Sequence, residues 1–532
     1  MKIKRILIVL ALSLSATVTA AAYTDVPSGH WAEEEINKAS SCGIMNGRAD
    51  GSFGLSDKIK RSEFAAMLVR LMKWEESGKS AFSDVSQNSW YFKDVSTLAE
   101  NGVFSGDLFR PEDYITRREM AVMLVKALGY SGIAEEEENK TFSDVSEDGG
   151  YISVAHDLGI INGKSQDVFD PNGSALREEG AAMMMRLYSK RTAPLDEIHG
   201  FYAISSWKQR ELAAKMDTVS FGWSRLTYTS DGQVFLNQTS SNGNDWCIPN
   251  GADDALSFMK SNDTETNLAV TMTDQTAAKE ILTNEQHRAD AVSQTVKAAE
   301  GFGGITIDFE GMKGEELKEV LTSFIKELKA AAGEKRVYVA VHPVLRHSSS
   351  YYDAYDYKEL SEYADKIILM AHDYASNTLP DNLLNTDYIW TPVSPFDEVY
   401  TALKAITTEV SDKSKITLGI STANTAAWDV TDKKITNPKA IHPSVDTLAS
   451  RLAQADTEIN YSDKYKNPYA FYTADNNQKI LIWYEDSRSI KAKIELAKMF
   501  GINSVSVWRI GAIPDGNSMQ YMDVADALFS EK

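Results

Sequence analysis

Cysteine is almost absent: the 532 residues hold 2, Cys42 and Cys247. They lie far apart and in no Cys-x-x-Cys spacing, which excludes a disulfide framework and a thiolate metal site; both read as small buried apolar side chains. With only 31 glycines and 13 prolines, collagen and low-complexity disorder are excluded too. Basic residues are the minority, 55 against 76 acidic ones, for a net charge of -21. Such a chain repels phosphate backbones, so nucleic acid is excluded as a partner. Long hydrophobic runs are missing after the first segment. There, Lys2, Lys4 and Arg5 precede an apolar run from Ile6 to about Leu14, shorter than the roughly 20 residues of a membrane span. Small residues follow up to Ala22, so residues 1–22 read as a secretory signal peptide cut after Ala20 or Ala22, with no membrane span in the mature protein. What is present is a globular balance, 43% hydrophobic and 25% charged, in a chain long enough for three or four domains at about 150 residues each.

The chain then repeats with a period of about 60 residues. Tyr23-Thr-Asp25-Val26, Phe82-Ser-Asp84-Val85 and Phe142-Ser-Asp144-Val145 open the units. Each continues with an aromatic (Trp31, Trp90, Tyr151), two glycines, a phenylalanine (Phe53, Phe109, Phe169) and an Arg-x-Glu that starts a helix: Arg61-Ser-Glu63, Arg117-Arg-Glu119 and Arg177-Glu-Glu179. The units span 23–72, 82–129 and 142–190. Thr116 and Glu119 have the spacing of a capping box, and the glutamates are read as caps. The arginines are not explained that way, because a cation at a helix N-terminus opposes the dipole.

These positions resemble the surface-layer homology domain, whose repeats open Phe-x-Asp-Val and carry a Thr-Arg-Ala-Glu-like motif; Thr116-Arg117-Arg118-Glu119 matches it best. The resemblance implies a mainly helical, pseudo-threefold bundle. It also implies that Arg61, Arg117 and Arg177 bind an acidic, pyruvylated secondary wall polymer, which a guanidinium suits. The expected location is outside the cell, on the wall or surface layer of a Gram-positive-type envelope.

A polar linker at 191–198 separates the repeats from a segment, 199–530, with room for a (β/α)8 barrel of about 250 residues plus an insertion. Strands are expected at 200–205, 218–223, 268–273, 304–309, 337–341, 366–370, 416–420 and 504–508, alternating with amphipathic helices such as 315–331 and 489–500. This alternation predicts an α/β fold with a parallel TIM barrel. The stretch from about 422 to 480 reads as an α+β insertion walling one side of a cleft.

The chemistry lies in Gly303-Gly-Ile-Thr-Ile-Asp-Phe-Glu310. A strand places Thr306, Asp308 and Glu310 on one face, and Glu310 falls at its C-terminal end, where barrel enzymes do their chemistry. Neighbouring carboxylates raise one pKa, which can keep Glu310 protonated as a general acid while Asp308 stays ionised.

This run resembles the Asp-x-x-Asp-x-Asp-x-Glu signature of glycoside hydrolase family 18, the chitinase-like enzymes, in particular its spore and cell-wall branch. Gly200-Phe-Tyr-Ala-Ile-Ser-Ser206, Met370-Ala-His-Asp-Tyr374 and Trp483-Tyr-Glu-Asp486 with Trp508 look like other family segments. The resemblance implies substrate-assisted retaining catalysis: Glu310 is the acid, the substrate's 2-acetamido group is the nucleophile, and Asp308 orients the acetamide and stabilises the oxazolinium ion. The substrate class is then a β-1,4-linked N-acetylglucosamine glycan, peptidoglycan or chitin-type, with no metal and no cofactor. Expected substrate contacts are Met370, His372, Asp373 and Trp508, together with Tyr202 and Trp223 as sugar-stacking rings. Two departures stand out. The first two signature aspartates are Gly303 and Thr306, where Thr306 can hydrogen-bond Asp308 but cannot exchange a proton with it near neutral pH, and His372 replaces the tyrosine that donates to the acetamido oxygen. They leave a second reading open, a catalytically inactive glycan-binding or surface-layer structural protein.

Overall fold

The computed structural model describes residues 23–79, 81–137, 141–203, 206–346, 353–375, 377–514, 516 and 521–532, so the expected signal peptide at 1–22 lies outside the described residues. The chain forms two compact units. One comprises the described residues of Met1–Leu128, Asn139–Ala155 and Ile160–Tyr188; the other comprises those of Gly129–Glu138, His156–Gly159 and Ser189–Lys532.

The first unit is helical, built on Glu33–Ser41, Arg61–Met72, Phe92–Glu100, Arg117–Ala127, Gly149–Asp157 and the start of Arg177–Thr192. The aspartate that opens each repeat ties down the loop carrying its phenylalanine. Asp25 accepts from the amides of Phe53, Gly54 and Leu55 at 2.7, 2.7 and 2.8 Å; Asp84 accepts from Phe109 and Arg110, and Asp144 from Phe169 and Asp170. The repeats close on one another through a ring of three backbone bonds: Ile59 N–H to Ala175 O (3.0 Å), Ala175 N–H to Ile115 O (3.3 Å) and Ile115 N–H to Ile59 O (2.9 Å).

The motif arginines complete this joint. Arg61, Arg117 and Arg177 each donate Nε–H to the phenylalanine carbonyl of another repeat, Phe109, Phe169 and Phe53, at 2.7, 2.9 and 3.0 Å. Each guanidinium also lies over that phenylalanine ring, 4.7 to 5.1 Å from its centre. Arg61 reaches Glu119 at 2.6 Å and Arg177 reaches Glu63 at 2.9 Å. Glu63, Glu119 and Glu179 cap as expected, accepting from Lys60, Thr116 and Leu176 N–H. These acids supply what the dipole argument lacked, a negative partner for a cation at a helix start. The expectation that the three arginines face a wall polymer is corrected here: Arg61 is 0% exposed and the other two 7%. Removing one member of such a buried pair leaves the other desolvated, so Arg61→Ala is expected to cost about 3 kcal/mol in urea unfolding. A loss under about 0.5 kcal/mol would rank the pair with exposed ones and contradict this role.

The second unit is a closed barrel. Its strands are β1 (Glu197–Tyr202), β2 (Thr218–Tyr228) with hairpin partner β3 (Val234–Asn237), β4 (Glu265–Met272), β5 (Gly304–Phe309), β6 (Arg336–Val341), β7 (Lys366–Met370) and β8 (Ile416–Ser421). The insertion carries β9 (Thr425–Thr431), β10 (Lys434–Ile435), β11 (Glu458–Ser462), β12 (Asn467–Thr473) and β13 (Lys479–Tyr484), and β14 (Ser504–Ile510) ends the barrel. The sheet order is β1-β14-β8-β7-β6-β5-β4-β2-β3, and β1 pairs with β2 to close eight parallel strands. Two strands match their expected limits; the first does not, starting at Glu197 rather than Gly200 and ending at Tyr202. Its early inward positions are polar, Glu197 and His199, and are buried because the Tyr338 hydroxyl, Ser220 and Ser506 bond them. Because the helix before β1 runs to Thr192, the expected linker shrinks to 193–196.

The insertion is a five-stranded antiparallel sheet in the order β10-β9-β13-β12-β11. One face packs Ala427, Ala470, Tyr472 and Ile482 against Leu448 and Leu452 of the helix Val445–Leu452; the other packs Trp428, Leu481 and Trp483 against Leu379 and Val393. It extends past the expected end at 480, because β13 is its central strand. Both cysteines are free, Cys42 exposed and Cys247 half-buried. The expectation of burial fails because Cys42 caps the C-terminus of its helix and Cys247 lines a cavity.

Candidate active site

β5 delivers the two carboxyl groups. Asp308 is 3% exposed inside the barrel, and Glu310 follows at the C-terminal mouth, its amide donating to Met272 O at 2.8 Å. Asp308 Oδ2 accepts from Thr271 Oγ1 at 3.2 Å. Thr306 bonds Ser220 (2.7 Å) and Asn267 (3.2 Å), so its hydroxyl is directed to these partners rather than to Asp308. Two residues along a strand are about 6.6 Å apart, whereas a neighbouring strand lies about 4.8 Å away.

Burial, and then the charge of Glu310, push Asp308 up to about 7. Burial also raises Glu310. Both carboxyls are therefore biased toward holding a proton, and they titrate as a pair. His372 Nδ1 lies 3.0 Å from Asp373 Oδ2. Burial works against a charge on His372, but Asp373, Glu310 and Asp308 outweigh it and raise the imidazole. Burial would raise Asp373, and the His372 contact overrides it and lowers that acid. His342, at the end of β6, is a second imidazole with the opposite bias: burial lowers it to about 4, and its Nε2 accepts from Gly311 N–H at 3.0 Å. It therefore stays neutral beside Glu310.

These groups line one cavity of about 600 Å³, floored by Phe201, Met370 and Trp508. Phe201 meets Trp508 edge-on with ring centres 5.5 Å apart, and Trp246 lies 6.0 Å from Trp508. Gly419 of β8 also lines it; a Cβ there would come 2.7 Å from Leu369 O, so the close strand approach requires glycine. Among the described residues, no group of His, Cys, Asp or Glu has the arrangement to hold a metal ion.

Asp308, Glu310, Met370, His372, Asp373 and Trp508 are thus brought together. Tyr202 and Trp223 are not. Both are 4% exposed and border another cavity, of about 460 Å³, packed with Phe221 at 4.8 and 4.4 Å between ring centres. Strand alternation is the reason: β1 turns Glu197, His199 and Phe201 inward, so Phe201 takes the place expected for Tyr202. Residues missed by the sequence reading are Phe201, His342, Tyr374 and Glu398, all lining the cavity. His342 directly follows an expected strand, and residues past the C-terminal ends of barrel strands face the site; no comparable signal marked Glu398.

A closed parallel barrel with a raised carboxyl pair at the C-terminal mouth of its fourth strand has the layout of a glycoside hydrolase. The glycosyl hydrolases family 18 model matches residues 198–512, more than half of the chain, and the S-layer homology domain model matches 22–65, 81–121 and 141–180. The chain belongs to family 18 of the glycosyl hydrolases and carries three S-layer homology repeats. It is 31% identical over 186 residues to S-layer protein EA1 of Bacillus anthracis, covering 34% of this chain and 21% of that protein. It is 22% identical over 295 residues to the putative sporulation-specific glycosylase YdhD of Bacillus subtilis (strain 168), covering 53% of this chain and 66% of that one. The chain thus spans a fifth and just under two thirds of these two relatives. The crystal structure of the Bacillus cereus spore cortex-lytic enzyme SleL shares the fold with a TM-score of 0.52 at 19% identity, covering 64% of this chain and 75% of that one. Among the described residues, no helix is long and apolar enough to cross a membrane.

Proposed function

We propose that the protein is a cell-surface glycosidase, held on a Gram-positive-type wall by its S-layer homology repeats, that cleaves β-1,4-linked N-acetylglucosamine glycans of peptidoglycan or chitin type. The observation that carries this reading is the Asp308–Glu310 pair, biased toward holding protons at the mouth of the barrel. Burial raises the Glu310 carboxyl, and this acid gives its proton to the glycosidic oxygen as the bond breaks. The substrate's own acetamido oxygen attacks the anomeric carbon from the opposite face, and the configuration is retained when water opens the oxazolinium ion. Asp308 faces the acetamide nitrogen; as positive charge develops there, an ionised carboxylate in a dry site stabilises it. The charge of Glu310 raises Asp308, and loss of the Glu310 proton to the leaving group is offset as Asp308 meets the cation. His372 and Asp373 hold the acetamide from the β7 side, and Trp508 underlies the sugar ring.

The repeats attach the enzyme through an acidic, pyruvylated secondary wall polymer. Trp31 and Trp90, 58% and 62% exposed, offer flat faces for sugar rings. The full chain is expected to sediment with purified walls and to stay in solution with walls stripped of secondary polymer by hydrofluoric acid. Equal binding to both preparations would contradict the anchor.

A further inference from the structure

Glu310 stands just past the end of β5, where the sheet stops supporting the backbone. The register with β4 runs to Phe309 opposite Met272, but the register with β6 ends at Ile307 opposite Val339. Gly311 then takes φ 71°, a left-handed turn that glycine adopts at little cost. The peptide groups around Glu310 therefore need partners from elsewhere, and side chains following β6 supply them. The Tyr355 hydroxyl donates to Phe309 O at 2.6 Å and accepts from Met312 N–H at 3.4 Å. His342 Nε2 accepts from Gly311 N–H at 3.0 Å, and Asp353 accepts from Gly314 N–H at 2.6 Å. The two rings meet with centres 5.7 Å apart. They are fixed in turn: Tyr355 is 7% exposed, and the Tyr357 hydroxyl donates to His342 O at 2.6 Å.

We propose that His342 and Tyr355 are positioning residues for the general acid, clamping the backbone turn at 309–312 so that the Glu310 carboxyl is held where its proton meets the glycosidic oxygen. The proposal rests on the glycosidase reading above and assigns the support on which its acid depends. Proton transfer requires heavy atoms about 2.6–3.2 Å apart, and a misplacement of about 1 Å costs on the order of 10²-fold in rate. An acid carried on a strand interior is aligned by the ladder; one carried on a turn is aligned by whatever grips the turn. A neutral imidazole suits the task, because it accepts the Gly311 amide without placing a second negative charge beside Glu310. Burial lowers His342 to about 4, so this acceptor form is the one present near neutral pH.

The test measures kcat and KM on the N-acetylglucosamine pentamer, together with amide hydrogen exchange at Gly311 and Met312 by NMR, for the full chain and its His342→Ala, His342→Gln and Tyr355→Phe variants. His342→Ala is expected to lower kcat about tenfold or more with KM within about threefold, and to speed Gly311 exchange at least about tenfold. His342→Gln places a side-chain amide oxygen close to the position of Nε2 and recovers most of both losses. Tyr355→Phe keeps the buried ring and removes only the hydroxyl; it lowers kcat in the same sense and speeds exchange at Met312. Gly311 exchange unmoved by His342→Ala would overturn the proposal, as would a kcat unchanged in both His342→Ala and Tyr355→Phe. A His342→Ala loss confined to KM would make His342 a substrate contact, and a kcat loss that His342→Gln fails to recover would make the imidazole itself part of the chemistry; either overturns the positioning role. These outcomes, with an active native chain, leave the glycosidase reading standing. A native chain that cleaves nothing would overturn that reading and the proposal built on it.

Discussion

Glu310→Gln is expected to lower kcat on N-acetylglucosamine oligomers by about 10³-fold or more while leaving KM within a few-fold, because the amide keeps the shape but cannot give a proton. Burial raises the Glu310 carboxyl, and the rate depends on its proton being present before the substrate arrives. Neither imidazole of the cavity replaces it. His372 is engaged by Asp373 at 3.0 Å, and His342, lowered to about 4, carries no extra proton near neutral pH. The variant also separates the chemistry from the fold, since Glu310 is a mouth residue and its substitution leaves the barrel core untouched. Retained glycan binding with lost turnover is the outcome that identifies the acid. A variant within a few-fold of native turnover would remove Glu310 from that role.

Asp308→Asn carries the second large effect, a loss of about 10²-fold in kcat, and it is distinguished by what it does to pH dependence. In the native pair, like charges 2 residues apart on one strand face hold a proton to high pH, with Asp308 pushed up to about 7. Replacing Asp308 removes the like charge, so the remaining carboxyl loses its proton earlier and the alkaline limb of the pH–rate profile moves to lower pH. The same change has a stability signature. A carboxyl whose pKa is raised in the folded state binds its proton more tightly there than in the unfolded chain, so native stability falls as pH rises from the unfolded value near 4 through the folded value near 7. Asp308→Asn is therefore expected to raise the thermal midpoint at about pH 8 and to leave it unchanged at about pH 3. A midpoint that drops at the higher pH would mean that Asp308 is a stabilising buried ion and not a strained catalytic one.

Much of the barrel was legible because its core strands are apolar runs of the right length. Gly304–Phe309 and Lys366–Met370 appear in the structure with their expected ends. The first strand was misplaced for the opposite reason. Glu197 and His199 look like loop residues in sequence, and only the Tyr338, Ser220 and Ser506 partners brought by other strands make them core. The reacting pair was readable from period-2 spacing alone, since Asp308 and Glu310 share a strand. The aromatic contacts were not, because the one-residue choice between Phe201 and Tyr202 depends on which face turns inward, and the shifted strand start left that open. His342 and Glu398 reach the cavity from separate elements, and no local pattern links them to Glu310. In the repeats, local reasoning found the glutamate caps. The arginines needed the third dimension, because each spends its guanidinium on a carbonyl about 50 residues away or, for Arg177, on Phe53, 124 residues back.

The central claim is that this protein cleaves N-acetylglucosamine linkages with Glu310 as the acid. The direct measurement incubates the purified full chain and its Glu310→Gln variant with N-acetylglucosamine oligomers and with peptidoglycan, and identifies the sugars released by mass spectrometry. The account predicts shortened oligomers or released N-acetylglucosamine-terminated fragments from the native chain and intact glycan from the variant. Glycan that is bound but left intact by both proteins would contradict it, and would make the barrel a binding module on a hydrolase scaffold.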